Sequence, residues 1–581
     1  MKYWVPESWG TAFNHEGLLF FVQRMQEMLY HFSCDIYRAP VHNTATLMYE
    51  FSDTYGEVKA GVIKEYQLTP IFEELRYCFS KDSILRARLG DEYVDSIVQQ
   101  MRSCPDNSRN DLVSYLADAI VPHYYNWSVE YLKEHIPNGR HKIEIEKGAR
   151  AWIADLVMRG YTGEFVYSYI EQYLVRRPLQ SLSELDAFFE RFDFEKRSYK
   201  VYIQLSDKME PYFGILGERL QLIFEDDGNF GQILKRRKHA ICYFEIEALD
   251  YYRAATIAYQ KINIFLKYYR FLADKRTYLL YKFGAVWEQD EEKMYYLPII
   301  PVGFKTMEFQ KGDINPEMID SLILGIQDNG PDGMESLHRV LVLHNNALQQ
   351  QLPKDGFVNL WSVLEVLCPQ GNANSKIDPI LYSILPVLQN EYYRSVFQTM
   401  YNDIDENVSE QEFRYILDML PGESGIAKMA AFCFLPDYEQ EREDFFAKLG
   451  NYPLLRHKIY TLYLLKDNRK DMFDVTKQYY QRVKWHFYRL YRARNAIVHA
   501  GLVPHNTRVL GEHLHSYIDN VLFEIAFKLA DNKCLHSIAN VFMDVRLLIK
   551  KKEQAFGTPD PISSADIGLL FDAYFCPVSN G

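Results

Sequence analysis

Residues 482–501 read RVKWHFYRLYRARNAIVHAG, and this stretch decides the reading of the chain. Val483, Phe487, Leu490 and Ile497, with Tyr491 and Val498 beside them, recur at steps of three and four, which is one buried face of an α-helix. Gly501 follows the last periodic residue and Pro504 comes soon after, the usual stop: glycine takes the left-handed position and proline cannot continue the ladder. Position 494 falls on the apolar stripe, where packing alone would ask for a leucine. A guanidinium there needs a partner or a task.

Asn495 and His499 stand one helical turn apart and share a face, and the long side chain of Arg494 can swing round to join them. The helix ends close to His499, so the negative end of its dipole favours the imidazolium form. Cation, amide and titratable imidazole together suit a phosphodiester, with Arg494 holding the phosphate and His499 moving a proton. The bare spacing, Arg and then His five residues on, is weak evidence. Arg339–His344 (RVLVLH) and Arg508–His513 (RVLGEH) satisfy it too; the first reads as an ordinary core helix and the second as a helix start.

What sets Arg494–His499 apart is context. Asn495 follows the arginine, Ile497-Val498 precede the histidine, His499-Ala500-Gly501 closes the helix, and Leu360-Trp361-Ser362-Val363-Leu364-Glu365-Val366-Leu367 forms a helix upstream. In these features residues 335–532 resemble the HEPN superfamily of ribonucleases, most closely its Apea-like branch. The resemblance implies a four-helix bundle and metal-independent cleavage of single-stranded or loop RNA, tRNA among the candidates. In that chemistry the 2′-OH attacks the adjacent phosphate and leaves a 2′,3′-cyclic phosphate and a 5′-OH. Arg494 would stabilise the phosphate charge, His499 would carry protons, and Asn495 would fix the imidazole or the phosphate. Family members place two such motifs face to face across a dimer, so the single motif here implies a homodimer through this domain. By family habit the amino-terminal region would sense a trigger, and the biology would be that of a toxin or an anti-phage defence effector.

Glu365 lies within the apolar pattern of Trp361, Leu364 and Leu367, so it is either the ionic partner that orients Arg494 or a residue on the wet side of its helix. From Val475 to Gly511 there is no acidic residue, against seven cations: Lys477, Arg482, Lys484, Arg489, Arg492, Arg494 and Arg508. Lys477 and Lys484 read as a solvated face. Arg489 and Arg492, within two turns of the motif, are candidate RNA-phosphate contacts. Against a net charge of −13 such a basic patch must be local, which argues against a general nucleic-acid coat protein.

The eight cysteines form no C-x-x-C pair, so no zinc ribbon is expected and free thiols in a reducing cytosol are. His499, His505, His513 and His515 crowd one segment, yet no carboxylate is read as joining them in a ligand-like pattern, and no metal or other cofactor is expected. No phosphate-binding glycine loop and no nucleophile elbow is present. No run is long and apolar enough for a membrane span, and no apolar leader opens the chain, so a cytoplasmic protein without membrane contact is expected.

At 581 residues several domains are expected, mainly α. Residues 1–195 read as a helical scaffold or sensor domain. From 196 to 301 the period changes to two: RSYKVYIQL, RLQLIFED, HAICYFEIE and RTYLLYKFGAVWE read as strands around one long helix, with a turn at Asp226–Asn229. The basic cluster Lys235–His239 ahead of one strand reads as a solvated loop or a second RNA or partner contact. Residues 302–334 read as a connector, 335–550 as the HEPN-like helical domain with a helical insertion at 376–466, and 551–581 as tail. Two other classes of function stay open at this stage. One is a catalytically inactive HEPN fold serving RNA binding or dimerisation; the other is a scaffold that binds protein alone.

Overall fold

The computed structural model describes residues 3–4, 9, 15–29, 42–177, 179–224, 240–272, 280–300, 330–350, 352–368, 375–420, 422, 424–504, 506–531, 535 and 537–572. They are mainly α-helical, with one small antiparallel sheet. Two compact units emerge: residues 1–155, 174–182 and 304–581 in the first, 156–173 and 183–303 in the second. The turn expected at Asp226–Asn229, the cluster Lys235–His239, most of the connector and His505 lie outside the described residues. No described helix is long and apolar enough to cross a membrane.

In the first unit the quoted stretch is the second half of a helix spanning Arg469–Asn495, here termed the motif helix. Asn468 starts it: its side-chain oxygen accepts from the backbone N–H groups of Lys470 and Asp471 at 3.0 and 3.2 Å. Met472, Phe473, Tyr479, Val483, Phe487 and Leu490 are buried along it, the stripe that the spacing implies. Three helices share this core, Gly330–Leu348, Pro353–Leu367 and Thr507–Asp531, and the second of them touches the other two as well as the motif helix. Leu337, Val340, Phe357, Leu360, Trp361, Leu364, Leu514, Ile518 and Val521 fill the space between them. Truncating any one of these to alanine costs about 2–5 kcal/mol.

Residues 376–466 are continuous with that core. The helix Asp378–Asn407 lies along the motif helix, where Tyr393 Oη donates to the Met472 carbonyl at 2.7 Å and Gln389 reaches Thr476 at 3.1 Å. The amino-terminal helices join the same unit through buried charges. Lys458 binds Asp403 at 3.0 Å and pairs with Glu27, while Arg24 pairs with Glu27 and Glu146.

The carboxyl-terminal end departs from expectation. Within the stretch read as tail, Ser563 and Asp566 form a capping box on a helix Ser564–Leu570, and Ile562, Ile567 and Leu570 are buried. Lys552, inside the stretch read as tail, is buried; its ammonium donates to Asn390 Oδ1 and the Leu570 carbonyl, each at 2.8 Å.

The second unit is built on five antiparallel strands, β1 (Arg197–Leu205), β2 (Ile223–Phe224), β3 (Ala240–Ala248), β4 (Phe283–Glu288) and β5 (Lys293–Pro298), in the order β2-β3-β1-β4-β5. The fifth strand is the one the period did not reveal. The helix Tyr251–Leu272 covers β1, β3 and β4 with the small and aliphatic residues Ala254, Ala255, Ala258, Ile262 and Leu266. Gly284 is required on β4, since a Cβ there would stand 2.3 Å from the Tyr202 carbonyl oxygen. Buried Asp250 starts the covering helix, accepting from the Arg253 backbone N–H and from both the N–H and the hydroxyl of Thr162.

Candidate active site

The motif helix changes geometry where the motif begins. Residues Ala496–Ala500 form a π turn directly after Asn495, and Gly501 closes it at φ +68°, the left-handed conformation that glycine adopts without strain. The N–H groups of Gly501 and Leu502 both return to the Ala496 carbonyl. Widening the last turn in this way leaves His499 exposed, while Arg494 and Asn495 stay half-buried at its root. A π turn inside an α-helix costs hydrogen-bond geometry, and such turns concentrate at functional sites.

Arg494 is the hub. One terminal nitrogen lies 3.2 Å from Nε2 of His499 and 3.3 Å from Oδ1 of Asn495, and the other lies 3.4 Å from a carboxylate oxygen of Glu365. That same oxygen accepts from the indole N–H of buried Trp361 at 3.0 Å, and the Trp361 ring packs on Tyr491 of the motif helix. Glu365 is thus held from behind by tryptophan and presents its charge to the arginine. Of the two sequence readings, the ionic partner is the one found. Tyr491 packs against the core.

A guanidinium has no acceptor, so its contact with Nε2 requires the imidazole lone pair there and places the ring proton on Nδ1. An anion entering beside it would take the guanidinium hydrogens and free Nε2.

Arg489 and Arg492 are not surface cations, and their reading as RNA contacts is corrected. Both are buried, and both are paired with acids brought from the amino-terminal helices. Arg489 chelates Glu50 through its Nε and one terminal nitrogen, each at 3.0 Å, and also binds Glu74; Arg492 binds Glu50 at 2.6 Å. Burial alone would raise the Glu50 carboxyl, but the two guanidiniums hold it far below the usual carboxylate range. Glu74 goes the other way, pushed up by burial and by neighbouring Glu50. The acid-free run at 475–511 is therefore neutralised in part by residues some 400 positions away in sequence, which no local pattern could show.

Two histidine groups lie in the same unit. His486 is buried between His513 at 3.1 Å and Arg489 at 3.4 Å, and burial together with those neighbours holds it neutral. His344 and His515 both face Asp519, and this trio is the group among the described residues that could hold a metal ion. The expectation that no carboxylate joins the clustered histidines does not hold: Asp519 stands one helical turn after His515. A cavity of about 370 Å³ lined by Tyr77, Asp474, Lys477, Gln478, Gln481 and Trp485 lies earlier along the motif helix, away from Arg494.

Compared with family models, with curated proteins and with solved structures, the chain matches none of them.

Proposed function

We propose that the chain is a HEPN-type, metal-independent endoribonuclease that cuts single-stranded or loop RNA. The observation that carries this is the grouping of Arg494, Asn495 and His499 at the open end of one helix, with Glu365 fixing the arginine. Arg494 binds the scissile phosphate and the charge that grows on it. His499, displaced from Arg494 by that phosphate, removes the proton of the 2′-OH. The 2′-oxygen forms its bond to phosphorus, the bond to the 5′-oxygen breaks, and the leaving oxygen takes a proton from the second imidazole of a dimer. The products are a 2′,3′-cyclic phosphate and a 5′-OH.

A second copy of the chain would supply that second imidazole. Val498, Leu502 and Val503 are each about half exposed around His499, an apolar rim suited to a two-fold contact. The amino-terminal helices touch the catalytic helix through Glu50 and Glu74, which gives a trigger bound there a physical route to the site. A toxin or antiviral effector acting in the cytoplasm fits a nuclease so connected.

The test uses purified full-length protein with total RNA in EDTA, wild type against His499→Ala. Cleavage that vanishes in the variant supports the nuclease. Equal retention of RNA by both, with no cleavage by either, supports an inactive RNA-binding module instead.

A further inference from the structure

We propose that His344, His515 and Asp519 form a binding site for a divalent transition-metal ion, zinc being the best fit, that ties the Gly330–Leu348 helix to the Thr507–Asp531 helix. The site is separate from Arg494 and His499 and does not rest on the ribonuclease reading.

The geometry points inward from three sides. Nε2 of His344 lies 2.8 Å from Oδ1 of Asp519, and Nε2 of His515 lies 3.2 Å from Oδ2 of the same carboxylate. The two imidazoles stack with centroids 5.0 Å apart and planes 28° from parallel, so both present the same nitrogen to one point. One ligand atom from each residue falls within 4.8 Å of the others. Around tetrahedral zinc, with bonds of about 2.0–2.1 Å, neighbouring ligand atoms stand roughly 3.3 Å apart, so rotamer adjustments of up to about 1.5 Å complete the set.

A hydrogen-bonded His–Asp–His trio would give similar spacing. In both arrangements the Nε2 atoms of the two imidazoles face the one carboxylate, and the metal titration below separates them. Two imidazoles and a carboxylate are a borderline donor set that suits zinc over magnesium or calcium. The surroundings supply rigidity and a way in: the His515 side chain is 2% exposed, while His344 and Asp519 are 13% and 23% exposed. The open side leaves the fourth position to water. An ion here would act as a clamp, since it spans two helices that already share a core.

The test strips full-length protein with a chelator, dialyses the chelator away, and titrates with ZnCl₂ by calorimetry and with CoCl₂ by visible absorption. Expected are one ion per chain, the intense d–d bands of tetrahedral cobalt, and a melting temperature raised by about 3 °C or more with excess zinc. His344→Gln and Asp519→Asn each weaken zinc at least about tenfold while keeping the far-ultraviolet circular dichroism of the parent. These two positions are partly open, which spares the test from the buried His515. Absence of stoichiometric binding overturns the site. So does binding that both variants leave unchanged, which would assign the ion to another pair such as His135–His141.

Discussion

Arg494 donates a hydrogen bond to Nε2 of His499 across 3.2 Å, and this contact turns the lone pair of that ring nitrogen towards the guanidinium. The arginine is itself held 3.4 Å from Glu365, so cation and imidazole are positioned before any substrate arrives. In the proposed reaction, preorganisation of this kind would stabilise the charge that develops on the phosphate without reorientation.

Replacing Arg494 by lysine keeps the charge and removes the fork that reaches Asn495, His499 and Glu365 together. Arg494→Lys is expected to slow RNA cleavage by about 100-fold or more. Glu365→Gln keeps the shape of the side chain and loses the ion pair. It acts as a positioning change, with a rate loss of about tenfold that falls on turnover more than on RNA affinity. Single-turnover kinetics on a short loop RNA check both.

Glu50 answers two buried guanidiniums at once, so Glu50→Gln leaves them under-compensated and should cost about 3–5 kcal/mol. The pH dependence has a definite sign. The folded-state carboxyl lies far below its ordinary value of 4.5, so its contribution is complete above that value and is lost as the pH falls towards the folded value. Urea unfolding should therefore show the gap between wild type and Glu50→Gln full at pH 7 and shrinking below about pH 4.5.

Lys552 titrates in the other range. Burial lowers its ammonium from 10.5 to about 8, so between these values the unfolded chain holds a proton that the folded chain has released. Stability then rises with pH across that window, and below about pH 8 burial of the charged form is a standing cost. Lys552→Met should remove the rise, flattening the stability profile between pH 8 and 10 by up to roughly 3 kcal/mol. Chemical denaturation at several pH values reads this directly.

Residues 335–581 expressed alone keep the motif and lose Glu50, Glu74 and Glu27. Arg489, Arg492 and Lys458 would then lack carboxylates they meet in the whole chain. The fragment is expected to aggregate or to melt without cooperativity, checked by gel filtration and a thermal scan. A soluble fragment with a sharp transition would show that the amino-terminal helices are dispensable.

Periodicity revealed the motif helix, its end at Gly501 and strand β1 directly, because each buries one face and the spacing records it. The pairing of Glu365 with Arg494 was legible for a related reason: a charge inside an apolar pattern calls for its complement. What stayed hidden depends on distant partners. Arg489 and Arg492 looked like surface cations because the acids that bury them come from the Thr44–Lys59 and Leu68–Lys81 helices. The role of Lys552 was hidden likewise, since its acceptors include Asn390. His344 was set aside as part of an ordinary core helix, and its approach to His515 and Asp519 arises only when two helices pack. The π turn left no periodic signal, being a single wide turn at the helix end.

The central claim meets its most direct test in the chemistry of RNA ends. Folded full-length protein and its His499→Ala variant are incubated with RNA in EDTA, and the fragments are mapped for their termini. The account predicts 2′,3′-cyclic phosphate and 5′-hydroxyl ends from the wild type, and a rate at least about 100-fold lower from the variant. Fragments bearing 5′-phosphates, cleavage that His499→Ala leaves intact, or no cleavage by well-folded protein freed of any inhibitor would contradict it.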